Sequence, residues 1–155
     1  MMITALRANA ATCRRFLTDL RQILPPGARP IFITDGGFET AWFDCLEELG
    51  WDYVGRVRGQ CKFDLRGQRL SCADLHAMAD RRARNLSGVR YPVKHQRARR
   101  LVLSEFPTCS HRQVKTRKGP ARCSNYKHYR KNAHEPLVLA TSLRSAPQHV
   151  VDLYR

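Results

Sequence analysis

The sequence predicts an α/β fold, and three observations carry that reading. Apolar residues first recur at helical spacing. A short β-branched run then follows a Pro-Pro-Gly break, and a second helical stripe ends in glycine before another alternating run. The chain has 155 residues, room for one domain with a core of ordinary size. With 43% apolar and 26% charged residues, its composition is that of a globular protein.

Cys13, Phe16, Leu17, Leu20, Ile23 and Leu24 lie three and four positions apart, so residues 10–24 are predicted as an amphipathic helix. Pro25-Pro26-Gly27 ends it, because proline cannot continue the hydrogen-bond ladder. Residues 30–34 are too few and too β-branched for another helix and read as a buried strand. Phe38, Trp42, Cys45, Leu46 and Leu49 form the next stripe, with Gly50 placed to stop it in a left-handed conformation. Residues 51–58 alternate as a strand, and a helix crossing between two such strands makes them parallel neighbours.

Beyond Arg58 the pattern loosens. A short helix is expected over 73–84, with strands over 99–106, 111–117 and 135–143. The last ten residues place Val150, Val151 and Tyr154 at helical spacing and stop without a capping signal, as a helix interrupted after its first turns would. The expected organisation is a single partial domain. Its parts are an αβαβ core piece (10–58), a basic and mainly β insertion (59–134), and a return strand with the start of a last helix (135–155).

Charge is unevenly spread. The chain carries 28 Lys and Arg against 13 Asp and Glu, a net +15, which predicts attraction to polyanions. Residues 1–50 are close to neutral, with five arginines against six acids, whereas 51–140 hold 21 basic residues against six acidic ones. No stretch approaches the roughly 18–20 apolar residues that span a bilayer, and no export signal opens the chain, so a cytoplasmic protein is expected. The six cysteines form no C-x-x-C pair and read as reduced thiols. A zinc set of Cys72, His76, Cys109 and His111 is conceivable, but its spacing matches no zinc-ribbon or finger pattern. The six histidines follow no catalytic spacing.

The chemistry concentrates at Asp35. An acid at the C-terminal end of a buried parallel strand sits in the crevice where α/β sheets bind ligands. Gly36 and Gly37 follow and let a phosphate approach the backbone. A carboxylate there is a hard oxygen ligand suited to Mg²⁺ or Mn²⁺. Capping of the helix that begins near Phe38 is the simpler role.

The stretch ITDGGFETAWFDCLEELGWDYVGRVRG and the later EPLVLATSL resemble the catalytic region of bacterial insertion-sequence transposases of the DDE class. Within that class they are similar to the type-four group, whose last core helix carries a Tyr-x2-Arg-x3-Glu-x6-Lys signature. The resemblance covers roughly residues 13–155 and is strongest at 31–59 and 135–143. It implies a partial RNase H-like (integrase-like) catalytic core with a β-rich insertion before the last helix. It also implies transposition by metal-dependent phosphodiester hydrolysis and strand transfer on transposon-end and target DNA, with a homodimer compatible with the intact family.

On this resemblance Asp35 is the second acid of the triad and a catalytic metal ligand, and Tyr154 opens the signature. The first acid is expected on a strand upstream of the helix at 10–24, and the signature's Arg, Glu and Lys would fall past Arg155. Asp19 and Asp152 lie on predicted helices and do not replace the missing acids. The expectation is a transposase truncated at both ends, inactive alone, holding Mg²⁺ or Mn²⁺ only weakly and retaining DNA binding.

The basic middle supplies the candidate DNA contacts: Arg56, Arg58, Lys62, Lys94, Arg97, Arg99, Arg100, Lys115, Arg117, Lys118, Lys127, Arg130 and Lys131. Each phosphate contact releases counterions, which makes affinity salt dependent. Tyr126 and Tyr129, interleaved with these charges, could stack on unpaired bases. The alternative is a non-catalytic basic module that binds nucleic acid, in which Asp35 only caps a helix. An Asp-nucleophile phosphatase is excluded, because that chemistry needs a second acid two residues on, where Gly37 stands. An apolar strand at 31–34 with an uncovered edge also predicts poor solubility.

Overall fold

A computed structural model describes residues 10–36, 40–91, 98–105 and 135–155, with the backbone alone at 115–116 and 119–120. Helix α1 (Ala10–Ile23) leads into strand β1 (Ile31–Thr34), helix α2 (Thr40–Glu48) and strand β2 (Asp52–Arg56). There follow β3 (Lys62–Leu65), β4 (Gln68–Ser71), helix α3 (Cys72–Ala77), β5 (Arg84–Arg90) and β6 (Ala98–Ser104). The short strands β7 (Lys115–Thr116) and β8 (Gly119–Pro120) pair with each other, and β9 (Leu137–Thr141) and helix α4 (Pro147–Tyr154) complete the described elements.

Seven strands form one mixed sheet in the order β1-β2-β9-β6-β5-β3-β4. The pair β1/β2 is parallel, with Ile33 opposite Val54, as a helical crossover demands. All other neighbours in this sheet are antiparallel. The stretch expected as an insertion therefore contributes four strands to the same sheet, and β9 returns between β2 and β6 to join the two parts.

Alternation along the central strands divides the core into two layers. On β9, Val138 and Ala140 join the layer that contains Leu17 of α1, Phe43 and Leu46 of α2, and Leu75 of α3. Leu137 and Leu139 face the other way, where Val150 and Val151 of α4 cover them together with Val54 and Val102. The first layer is rich in aromatic contacts. Phe43 stacks on Tyr53 at 4.6 Å, and Phe32 packs against both Trp42 and Trp51. Gly55 makes the Phe43 contact possible, because a Cβ there would fall inside the space the ring occupies.

The front half follows the sequence reading in element order, with Gly50 ending α2 at φ +69°. Strand β1, however, is not the buried strand expected: paired only with β2 among the described residues, it leaves Ile31 and Ile33 exposed. Other differences appear further on. Instead of one helix over 73–84, α3 covers only six residues, started by a capping box in which Ser71 N–H donates to Asp74 Oδ2 at 2.7 Å. Strand β5 then begins at Arg84, and its alternation is hidden by a register shift between Leu86 and Val89 that contains Gly88 at φ +72°. The β3/β4 hairpin was not anticipated either, because its two-residue turn places Arg66 at φ +54° before Gly67, where Asn or Gly is the usual signal. Most of the predicted strand at 111–117 lies outside the described residues. Among the described residues, no helix is long and apolar enough to cross a membrane.

Candidate functional site

Asp35 follows the last residue of β1 directly, at the end of the strand and with its side chain 70% exposed. Its Oδ1 accepts the Gly36 N–H at 2.7 Å and the Tyr154 hydroxyl at 3.1 Å. Burial, and then the adjacent Asp35 charge, push the Tyr154 phenol up to about 12, so it remains the proton donor at neutral pH. Arg58, two residues past β2, brings Nη1 to 4.0 Å from the same carboxylate oxygen. Gly36 permits that approach, since a Cβ there would lie 3.0 Å from Arg58 Cδ.

Arg58 also connects Asp35 to a second acid. Its Nε lies 3.5 Å from Glu135 Oε2, an oxygen that Arg56 Nη2 approaches at the same distance. His76 of α3 brings Nδ1 to 3.9 Å from Glu135 Oε1. Two guanidinium groups and an imidazole thus converge on one carboxylate, beside the exposed Asp35. Glu135 was not singled out from the sequence. The available signal was that it is the one acid between Glu105 and Asp152 in a strongly basic stretch.

The candidate DNA-contact residues separate by environment. Arg99 is buried, pairing with Asp44 and, at 3.5 Å, with Glu47; it donates to the Tyr53 hydroxyl and lies 5.5 Å above the Phe43 ring. Arg56 is buried against Glu135. The Arg100 guanidinium donates to Asn85 Oδ1 and to the carbonyls of Leu143 and Ser145, tying the segment before α4 to β6. These three cations hold the fold together and do not face solvent freely. Their interior placement reflects β-strand alternation, which aims Arg99 at α2 and Arg100 at the opposite face.

Lys62 is exposed on β3. Arg66 in the turn, Arg69 on β4 and Arg90 on β5 are exposed on the same side of the fold as that hairpin, with Asp64 opposite both Arg69 and Arg90 in register. The side chains of Lys94, Arg97, Lys115, Arg117, Lys118, Tyr126, Lys127, Tyr129, Arg130 and Lys131 lie outside the described residues.

Asp35 supplies one hard oxygen donor group, with a guanidinium beside it. A divalent ion of the Mg²⁺ or Mn²⁺ kind requires several oxygen ligands. Among the described residues no three His, Cys, Asp or Glu side chains gather to hold a metal, so these residues alone do not fit the ion. In the conceivable zinc set, Cys72 and His76 share α3, while Cys109 and His111 lie outside the described residues.

A polar site at the end of a parallel strand pair, in a mixed sheet covered by helices on both faces, defines the general class as an α/β domain with its chemistry at strand ends. The family model described as a transposase DDE domain matches residues 2–155, and the chain belongs to that family. Membership carries a function in DNA transposition, with DNA as the substrate, and the family generally works with a divalent metal. No curated protein and no solved structure matches the chain.

Proposed function

We propose that this chain is part of an RNase H-like transposase core of the type-four group, with Asp35 as the second acid of the catalytic triad and Tyr154 as the first residue of the last-helix signature. The hydrogen bond from Tyr154 to Asp35 carries this reading. It joins the end of β1 to helix α4, as an active site assembled from distant segments requires. Asp35 would be one carboxylate ligand of a Mg²⁺ or Mn²⁺ ion only where further acids complete the set, and the ion would then supply Lewis-acid chemistry at a phosphodiester.

With one carboxylate in place and Arg58 beside it, the chain alone is expected to leave DNA uncut while binding it. Binding rests on the exposed cations Lys62, Arg66, Arg69 and Arg90, together with the basic residues of 92–131. In this reading the protein acts on cytoplasmic DNA, and each phosphate contact contributes about −0.9 to the slope of log affinity against log salt.

The test compares the wild-type chain with Asp35→Asn in Mn²⁺ titrations followed by water-proton relaxation, and in duplex DNA binding. The proposal expects weaker Mn²⁺ binding and unchanged DNA affinity in the variant. Equal Mn²⁺ binding by both proteins would leave Asp35 as a turn residue that accepts the Gly36 amide, and would favour the non-catalytic basic module. DNA cleavage by the wild-type chain would overturn the expected inactivity.

A further inference from the structure

The β3/β4 hairpin pairs Phe63 with Leu70 and Lys62 with Ser71. Carried one position further, the same register sets Cys61 opposite Cys72. Residues directly opposite in an antiparallel pair have Cα atoms about 4.5–5.5 Å apart, within the span a disulfide bridges. Both cysteines are free thiols here, and each lies close enough to the other to perturb its ionisation.

Their surroundings differ. Cys72 is 5% exposed in the first turn of α3, whereas Cys61 is only partly buried and open to a small reagent. The Cys61 sulfur lies 3.2 Å from the Arg58 carbonyl and 3.6 Å from the Tyr91 hydroxyl, and Tyr91 is held in place by stacking on Phe63 at 5.0 Å. The neighbouring Cys72, and then the Tyr91 hydroxyl, favour the Cys61 thiolate and lower its pKa; the neighbouring Cys61, and then burial, keep Cys72 protonated. One sulfur is thus prepared as nucleophile and the other as resolving thiol.

We propose that Cys61 and Cys72 form an oxidisable dithiol that closes to an intramolecular disulfide when the protein meets a hydroperoxide. The Cys61 thiolate attacks the peroxide, forming an S–O bond as the O–O bond breaks, and the departing alkoxide or hydroxide takes up a proton. Cys72 then loses its proton and attacks the sulfenic sulfur, forming the S–S bond while the oxygen leaves as water. Two thiols lose two electrons, and the peroxide is reduced to water and an alcohol or a second water. The proposal is independent of the role given to Asp35.

The experiment treats the reduced full-length chain with hydrogen peroxide, blocks remaining thiols with iodoacetamide and digests with trypsin. Lys62, Arg66 and Arg69 separate the two cysteines, so their peptides stay together only if bridged. The expected product is a Cys61–Cys72 linked pair, two hydrogens lighter than the sum of its parts and released by dithiothreitol, with Cys13 and Cys45 recovered alkylated. In Cys72→Ser, the expected product is a Cys61 sulfenic acid trapped by dimedone. In the untreated native chain, iodoacetamide should modify Cys61 about tenfold faster than Cys13 or Cys45, a readout that needs no variant to fold. Bridging of either residue to a different cysteine would overturn the proposal, as would recovery of both as free thiols after peroxide.

Discussion

Tyr154 donates its phenolic hydrogen to Asp35 Oδ1 at 3.1 Å, although 119 positions separate the two residues. The contact closes the domain at the end of β1 and gives an otherwise exposed carboxylate a defined orientation. Removing the hydroxyl in Tyr154→Phe leaves no buried group unsatisfied, so the expected loss of stability is small, about 0.5–1 kcal/mol in urea unfolding. The pH dependence has a definite sign. Tyr154 titrates near 10.0 when unfolded and near 12 in the fold, so its contribution is complete below the unfolded value and disappears as pH rises through the folded one. Melts between about pH 10 and 12 should show a shallower alkaline loss in Tyr154→Phe than in wild type; identical slopes would mean that the phenol is neither buried nor held beside Asp35 in solution.

Arg99 makes the opposite case, a buried cation whose partners depend on it. Arg99→Ala removes the buried cation that pairs with Asp44 and Glu47 and lies beside the Tyr53–Glu47 hydrogen bond. Breaking a buried pair from one side costs about 3–5 kcal/mol, and because both acids retain partial access to water the expectation lies at the lower end, about 3 kcal/mol by chemical denaturation. Lys62→Ala, on the exposed face of β3, should leave stability within about 0.5 kcal/mol. If the two variants were equally stable, the internal role of Arg99 would be wrong.

Gly55 is required for packing, not for an unusual backbone angle. A methyl group in Gly55→Ala would meet the Phe43 ring, which is itself stacked on Tyr53 and cannot turn aside. Overpacking of this kind costs about 1–3 kcal/mol. Thermal unfolding should show the drop, and Phe43→Leu should recover part of it when combined with Gly55→Ala. A double variant less stable than the sum of the single changes would refute the steric explanation.

Among the described residues β1 is an edge strand, paired only with β2, and it leaves Ile31 44% and Ile33 50% exposed. Apolar side chains beside an unpaired strand edge favour association between chains. Ile33→Lys is expected to raise the soluble fraction on expression, while changing the unfolding free energy by only about 0.5 kcal/mol. An unchanged soluble fraction would remove β1 as the cause of any aggregation.

The legible parts of the fold were those whose signal is local. The α1 stripe, the Pro25-Pro26-Gly27 break and the α2 stripe ending at Gly50 are each contained within one turn or one element, and the parallel β1/β2 pair follows from the helix between them. Asp35 stood out because a strand end beside two glycines is itself a local pattern. Strand β5 was hidden because its bulge breaks the period of two, and the β3/β4 hairpin because an arginine occupies a left-handed turn position. Charge counting identified the basic segment but could not separate cations that face solvent from those that serve the core.

The sequence by itself determined the helix and strand periods of the front half, the corner carboxylate at position 35 and the concentration of positive charge after residue 50. Only the tertiary structure decided that β9 returns between β2 and β6, that Arg56 and Arg99 turn inward to acids, and that Tyr154 and Glu135 meet the neighbourhood of Asp35. The physical reason is that periodicity is set by neighbours along the chain, whereas the partner of a charge or a hydroxyl is set by which strands lie side by side once the apolar faces have been buried.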